Sequence, residues 1–142
     1  MYYAKGKGLG KIVVLSCARG DNLFSCIQKC LEENDMENAV ILSGVATFEK
    51  INYHFMEGRD IIPKEGHITV EGAFEVANLD GLILNRKPHI HFTACDHGTV
   101  IAAHLEPATT VLYVAELVMA EILDLEDYTR ISYPDAEIHQ YD

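Results

Sequence analysis

Two histidines one residue apart, His89 and His91, are followed further along the chain by a third, His104. Imidazole is the commonest protein ligand for zinc and related metal ions, so the question is whether the three rings can meet. An isolated His-x-His pair in a strand is more often simply two half-exposed polar residues. A third histidine brought opposite the pair by an independent argument makes a metal site the better interpretation.

The residues around these histidines have the pattern of a β-hairpin. Two runs rich in β-branched, aromatic and small apolar residues flank His97-Gly98, which we interpret as a two-residue turn in which positive φ is accessible to both residues. His91 then lies opposite His104, and side chains alternate between two faces. The apolar face carries Ile90, Phe92, Ala94, Ile101, Ala103 and Leu105, and the polar face carries His89, His91, Thr93, Ala102, His104 and Glu106. A slip of one residue would place His104 among the apolar side chains, so burial selects this register.

Three histidines without a fourth protein ligand would leave a coordination position open for water or a small anion. That arrangement is typical of catalytic zinc rather than of structural zinc. Glu106 lies opposite His89 and could be a fourth ligand, or an acceptor from the ring of a ligating histidine. The more ordinary interpretation of Glu106 is a solvated carboxylate at the end of a strand.

Composition narrows the classes of function. The chain has 142 residues, 49% of them hydrophobic, which is enough for one domain with a sizeable core. Its net charge of −11 disfavours contact with a phosphate backbone, because nucleic-acid-binding proteins usually present a basic patch. The four cysteines (Cys17, Cys26, Cys30 and Cys95) form no Cys-x-x-Cys pair, and we interpret them as reduced core thiols. With no signal peptide and no membrane-spanning run in the sequence, we expect a cytoplasmic protein without a membrane role.

Most of the chain has the pattern of β-strands. Lys11–Ala18, Ala39–Leu42 and the extended Val45–Met56 are predicted strands, and His67–Val70 and Gly72–Val76 are predicted to be two short ones. Predicted turns are Glu57–Asp60, and Asn78–Gly81 before Leu82–Leu84. The segment Val111–Leu123 suits a helix by period and a strand by its β-branched content.

One early segment has the pattern of a helix. Asp21 or Asn22 can cap it, and it extends to about Asn34 with an apolar stripe of Leu23, Phe24, Ile27, Cys30 and Leu31. One helix and many strands predict an α+β fold with a mostly antiparallel (mixed) sheet and a helix packed on it. We expect residues 1–10 to be a flexible N-terminal arm, residues 11–125 to be a single domain, and residues 126–142 to be a polar, irregular tail.

Several motifs, in order, resemble the plants and prokaryotes conserved domain (PPC or PCC, also known as a domain of unknown function), over roughly Ile12–Leu123. Val40-Ile41-Leu42-Ser43-Gly44-Val45-Ala46-Thr47 is similar to the family's strand into a Ser-Gly-x-Gly turn. Glu71-Gly72-Ala73-Phe74-Glu75-Val76-Ala77-Asn78-Leu79-Asp80-Gly81 is similar to its Gly-Arg-Phe-Glu-Ile-Leu-Ser-Leu-Ser-Gly segment. Pro88-His89-Ile90-His91 and Ala102-Ala103-His104-Leu105 resemble its Pro-His-Leu-His and Gly-Gly-His-Leu elements.

The resemblance implies a homotrimer, a strand at Val111–Leu123, and a metal site formed by His89, His91 and His104 as in prokaryotic members. Two departures matter. Ala73 stands where the plant motif has Arg, which weakens any transfer of the plant proteins' interaction role, and Ala46 and Ala102 replace glycines. The Arg-Gly-Arg-Pro core of the AT-hook, which in plant proteins lies outside this domain, does not occur in this sequence.

Three functions therefore compete. The first is a metal-binding trimer, with zinc or another divalent transition metal and a possible small-molecule or anionic ligand. The second is a metal-dependent, hydrolase-like enzyme, for which Glu106, Glu75, His54 and His67 are the candidate general bases, although the sequence places only Glu106 near the metal. The third is a DNA-binding or transcription-related module, which the charge and the missing AT-hook disfavour.

Overall fold

The computed structural model describes residues 1–141. Its elements are β1 (Gly8–Ala18), α1 (Leu23–Glu33), β2 (Ala39–Met56), β3 (Lys64–Leu84), β4 (Lys87–Cys95), β5 (Val100–Leu105), β6 (Thr110–Leu123) and β7 (Glu137–Tyr141). Segment Val111–Leu123 is a strand, as the resemblance implied, because it lies between β1 and β2 and forms hydrogen bonds with both. Within the described residues, no helix has the length and apolar character needed to cross a lipid bilayer.

The predicted α+β class is wrong. About 60% of residues lie in strands and 8% in the one helix, so the domain is mostly β. The strand order is β1-β6-β2-β5-β4-β3-β7, and β3 also pairs with β2, so that β2, β5, β4 and β3 form a closed ring. All pairings are antiparallel except β3 with β7. The physical reason for the error is that the sheet closes on itself and covers most of the core. The single short helix covers only a small part of it.

The helix was predicted correctly. Asn22 is its N-cap, and the side-chain oxygen of Asn22 accepts a hydrogen bond from the backbone N–H of Ser25 at 3.0 Å. Leu23, Ile27, Cys30 and Leu31 are buried and belong to the same core cluster as the sheet. The helix contacts β1 and β6, so it covers the part of the sheet that lies outside the ring.

Two turn predictions had different outcomes. The chain does turn after Glu57, between β2 and β3. The turn predicted at Asn78–Gly81 is wrong, because β3 continues through it and absorbs the irregularity as a shift in register between Val76 and Asn78. The chain reverses instead at Asn85 and Arg86, whose φ values of 52° and 58° suit a tight hairpin turn.

The end of the chain also differs from the prediction. Residues from Glu126 on were expected to be irregular, but Glu137–Tyr141 forms β7, parallel to the start of β3. Both His139 and Tyr141 bond to the carboxylate of Glu57, with His139 Nδ1 at 2.7 Å from a Glu57 oxygen. The division into arm, domain and tail remains a prediction.

Candidate metal centre

The predicted register of the histidine hairpin is confirmed. His91 pairs with His104, and the pairing runs from Ile90 with Leu105 to Cys95 with Val100. Ile90, Phe92, Ala94 and Leu105 are buried, whereas the opposite face of the hairpin remains accessible. The burial argument was therefore sufficient to place the third histidine across from the first pair.

The turn of this hairpin is built differently from the expectation. Neither His97 nor Gly98 is among the residues with positive φ in the described chain. The carboxylate of Asp96 instead accepts hydrogen bonds from the backbone N–H groups of Gly98 and Thr99, at 2.9 and 2.8 Å. These two bonds lower the pKa of Asp96, and they hold the turn in place of a left-handed backbone.

The three predicted histidines converge. One ligand nitrogen from each of His89, His91 and His104 lies within 4.8 Å of the other two. The Nε2 atoms of His89 and His91 are 3.3 Å apart. Two ligands at about 2.0–2.1 Å from a tetrahedral ion would be about 3.3–3.4 Å apart, so this pair already has the spacing that zinc requires. The donor set of three imidazole nitrogens fits a zinc-class ion.

The surroundings lower the pKa of two of these rings. Burial, together with the charges of His54, His89 and His91, lowers the pKa of His104 to about 3. Burial also lowers the pKa of His89, and the charge of Arg130 lowers it further. Because a metal ligand must be an unprotonated imidazole, these shifts reduce the competition between protons and a metal ion at His89 and His104.

The shifted pKa of His104 also makes stability depend on pH. An imidazole in the unfolded chain has a pKa of about 6.5, so on acidification the unfolded chain binds a proton at His104 before the folded chain does. The folded state therefore keeps its full stability above about pH 6.5. That stability is lost progressively as the pH falls towards the folded pKa of about 3.

Glu106 lies beside the cluster. Its Oε1 is 3.7 Å from Nε2 of His104 and 2.6 Å from Nδ1 of His54, and 22% of its side chain is exposed. A carboxylate only accepts hydrogen bonds, so Nδ1 of His54 carries a proton in this contact. The nearer partner of Glu106 is thus His54 rather than one of the three predicted ligands, and the role of Glu106 at a metal remains a prediction.

The sequence analysis missed that the histidines form a continuous row across the sheet. His67 pairs with His54, His54 pairs with His104, and His104 pairs with His91. The ring centroids are 5.1 Å apart for His67 and His54, and 4.1 Å apart for His54 and His104. The pairing of His54 with His67 could have been predicted by treating β2 and β3 as a hairpin, because the two strands flank the turn at Glu57.

Of the candidate general bases, His54 and His67 are in this row, Glu106 lies beside it, and Glu75 is elsewhere. His54 and Glu106 lie next to His104, and His67 lies next to His54. Glu75 pairs instead with Thr47 and Cys95. The site lies in an open depression of about 550 Å³ whose lining includes His54, His89, His91 and His104. An adjoining depression brings Arg130, from the segment before β7, next to His89 and His91.

Close approach of two backbones positions one of the ligands. Gly81 of β3 pairs with Ile90, and a Cβ atom at Gly81 would lie 2.1 Å from the carbonyl oxygen of His89. Only glycine allows β4 to lie so near β3 at this position. Gly81, which was predicted to lie in a turn, therefore allows the close packing of β3 and β4 that positions the backbone of His89.

Comparison with known proteins supports the fold. The sequence profile of the Plants and Prokaryotes Conserved (PCC) domain matches residues 4–123. A plant- and prokaryote-conserved (PPC) protein of Pyrococcus horikoshii is 22% identical with a TM-score of 0.69, over 100% of this chain and 99% of that one. A protein of Archaeoglobus fulgidus described as metal-containing is 24% identical with a TM-score of 0.65, over 87% and 86%.

A third similar structure, from Bacteroides thetaiotaomicron, is named as a candidate DNA-binding protein. It is 19% identical with a TM-score of 0.70, over 98% of this chain and 96% of that one. At these identities the likeness concerns the fold alone. No curated protein matches the sequence.

Proposed function

The chain belongs to the Plants and Prokaryotes Conserved (PCC) domain family, and we propose that it binds a divalent transition metal, zinc above all, through His89, His91 and His104. The observation that carries the proposal is the convergence of three imidazoles on one face of β4 and β5. A similar fold in a protein described as metal-containing agrees with it. The ion would polarise a bound water or anion at its open position.

The first test is metal analysis of protein purified without a polyhistidine tag and reconstituted with Zn²⁺. We expect His91→Ala to lose the ion bound at this site, whereas His97→Ala, at the exposed hairpin turn, should retain it. Bound metal should also be released on acidification, because protons compete with the metal for the imidazole nitrogens, and the lowered pKa of His104 should shift that release below the value of about 6.5 for free imidazole. Equal zinc content in the two variants would refute the three-histidine assignment.

Enzymatic activity is a second candidate, favoured by the hydrogen bond between His54 and Glu106. This pair resembles the carboxylate–histidine arrangement of general bases, and it lies beside His104. Arg130 could hold an anionic substrate group near His89 and His91. A screen of esters, lactones and phosphoesters should show turnover by the zinc-loaded protein that His91→Ala abolishes; equal background rates would refute catalysis.

We propose a homotrimer as the assembly. Val14 and Val114 lie on the same outer face of β1 and β6 and are 66% and 45% exposed, which is apolar surface that an interface between copies would cover. Sedimentation equilibrium should give three copies, and Val14→Asp should shift the protein towards monomer. A wild-type protein that sediments as a monomer at all concentrations would refute the trimer.

We propose that nucleic acid is not a partner. A net charge of −11 repels a phosphate backbone, although two similar structures are named as candidate DNA-binding proteins. Binding to duplex DNA should be absent even at low ionic strength. Binding that weakens steeply as salt is added would overturn this view.

A further inference from the structure

A second cluster of metal-ligating side chains lies next to the three-histidine site. His54 and His67 are directly paired across β2 and β3, and Glu65 lies two residues before His67, on the same face of β3. One ligand atom from each of the three lies within 4.8 Å of the other two. Their side chains are half-buried, with 13%, 25% and 13% exposed for His54, Glu65 and His67.

The ring of His54 is held in an orientation that suits a ligand. Its Nδ1 donates to Glu106 at 2.6 Å, which leaves Nε2 as the ring nitrogen that this carboxylate does not engage. Histidines that bind metal ions almost always donate their other ring nitrogen to a carboxylate or a carbonyl in this way. In the three-histidine cluster none of the rings has so short a bond to a carboxylate among the described residues.

The charge of this region also favours a cation. Glu65 and Glu106 bring two carboxylates to a half-buried place, and in the described part of the chain their ion-pair partners are histidines alone. Nε2 of His67 is 3.3 Å from Glu65, a looser contact than that of His54 with Glu106. A divalent ion would balance the negative charge of these two carboxylates.

We propose that His54, Glu65 and His67 form a second binding site for a divalent transition metal ion. Two imidazoles and one carboxylate are a donor set that suits zinc, iron and manganese, and three protein ligands leave positions open for water or an anion. The site goes beyond the proposed function, because its three ligands are all different from His89, His91 and His104.

The two sites are neighbours. The rings of His54 and His104 are stacked with centroids 4.1 Å apart, and one oxygen of Glu106 lies near both histidines. Filling one site therefore changes the charge that the other site experiences. An anion held between two ions would be bound more strongly than at either ion alone.

Stoichiometry of metal-free, tag-free protein tests the proposal. Zn²⁺ is counted by elemental analysis, and Co²⁺ is followed through its visible absorption during titration. We expect two equivalents per chain for the wild type, one for His67→Ala, one for His91→Ala, and two for the control His97→Ala. Glu65→Gln keeps the shape of the side chain and should weaken the second equivalent by about 10–100-fold if His67→Ala fails to fold.

The possible outcomes separate the two sites. A wild type that saturates at one equivalent, lost in His91→Ala and unchanged in His67→Ala and Glu65→Gln, overturns the second site and leaves the proposed function standing. A wild type with two equivalents that both survive in His67→Ala and Glu65→Gln overturns it as well. One equivalent that survives in His91→Ala and disappears in Glu65→Gln supports the second site and overturns the first.

Discussion

Replacing Gly81 by alanine should disturb both the fold and the candidate metal centre. In the present structure the new Cβ would lie 2.1 Å from the carbonyl oxygen of His89 and 3.0 Å from Cα of Ile90. Contacts of a Cβ atom closer than 3.0 Å are essentially never seen, so β4 must retreat from β3 by about 0.9 Å. Because both atoms at the contact belong to backbone, no side-chain rotation can relieve the clash.

The magnitude follows from two opposing effects. Overpacking of a tight contact costs about 1–3 kcal/mol, and alanine recovers about 0.5–1 kcal/mol that glycine loses inside a strand. We therefore expect Gly81→Ala to lower the free energy of unfolding by about 1–2 kcal/mol, and Tm by about 2–4 °C for each kcal/mol. The shift also exceeds the roughly 0.5 Å tolerance of a preorganised site, so zinc affinity should fall through displacement of His89.

Gly98→Ala provides the matched control. No atom lies within 4 Å of a Cβ at Gly98, and its φ is not in the left-handed region. Denaturant unfolding of the metal-free variants and competition for Zn²⁺ against a chelating dye measure the two effects. If Gly81→Ala were as stable as Gly98→Ala and bound zinc equally well, the close approach of β3 and β4 would not be a constraint.

Three further outcomes are expected. Metal-free protein should lose a few kcal/mol of stability as the pH falls from about 6.5 towards 3, and His104→Gln should flatten that dependence in denaturant titrations across pH. Thr109→Val should cost about 1–3 kcal/mol in urea unfolding, because buried Thr109 Oγ1 accepts from the N–H of Asn52 at 3.2 Å. Asn22→Ala should cost about 0.5–2 kcal/mol in the same assay through loss of the helix cap, with Ser25→Ala nearer to wild type.

The histidine hairpin could be predicted because local rules determine it. Alternation of apolar and polar residues fixed the faces of β4 and β5, and only one register kept His104 off the apolar face. Only the detail of the turn was wrong, because the Asp96 carboxylate can hold a turn without positive φ. The family resemblance selected the same three histidines and settled β6 as a strand, although it did not prevent the wrong fold class.

The contributions of β2 and of the chain end could not be predicted by such rules. His54 reaches His104 through a pairing of β2 with β5 that covers only two positions, far apart in sequence. The sequence pattern of β2 or β5 does not predict this contact, because the contact forms only when the sheet closes. Arg130 and β7 belong to a polar segment without alternation, whose position depends on bonds to Leu82 and Glu57.

The closing of the sheet is therefore what converts a histidine pair into a larger site. His89 and His91 belong to β4, His104 to β5, and His54 to β2, so the row crosses the narrow junction where Tyr53 pairs with Leu105 and His54 with His104. That junction is reinforced from the next position, where the N–H of Glu106 donates to the carbonyl of Asn52 at 2.8 Å. An ion held by His104 would fix β5 against β4, and Glu106 would carry that constraint to His54 on β2. Since an unfolded chain has no such arrangement of donors, the free energy of metal binding adds to the stability of the ring.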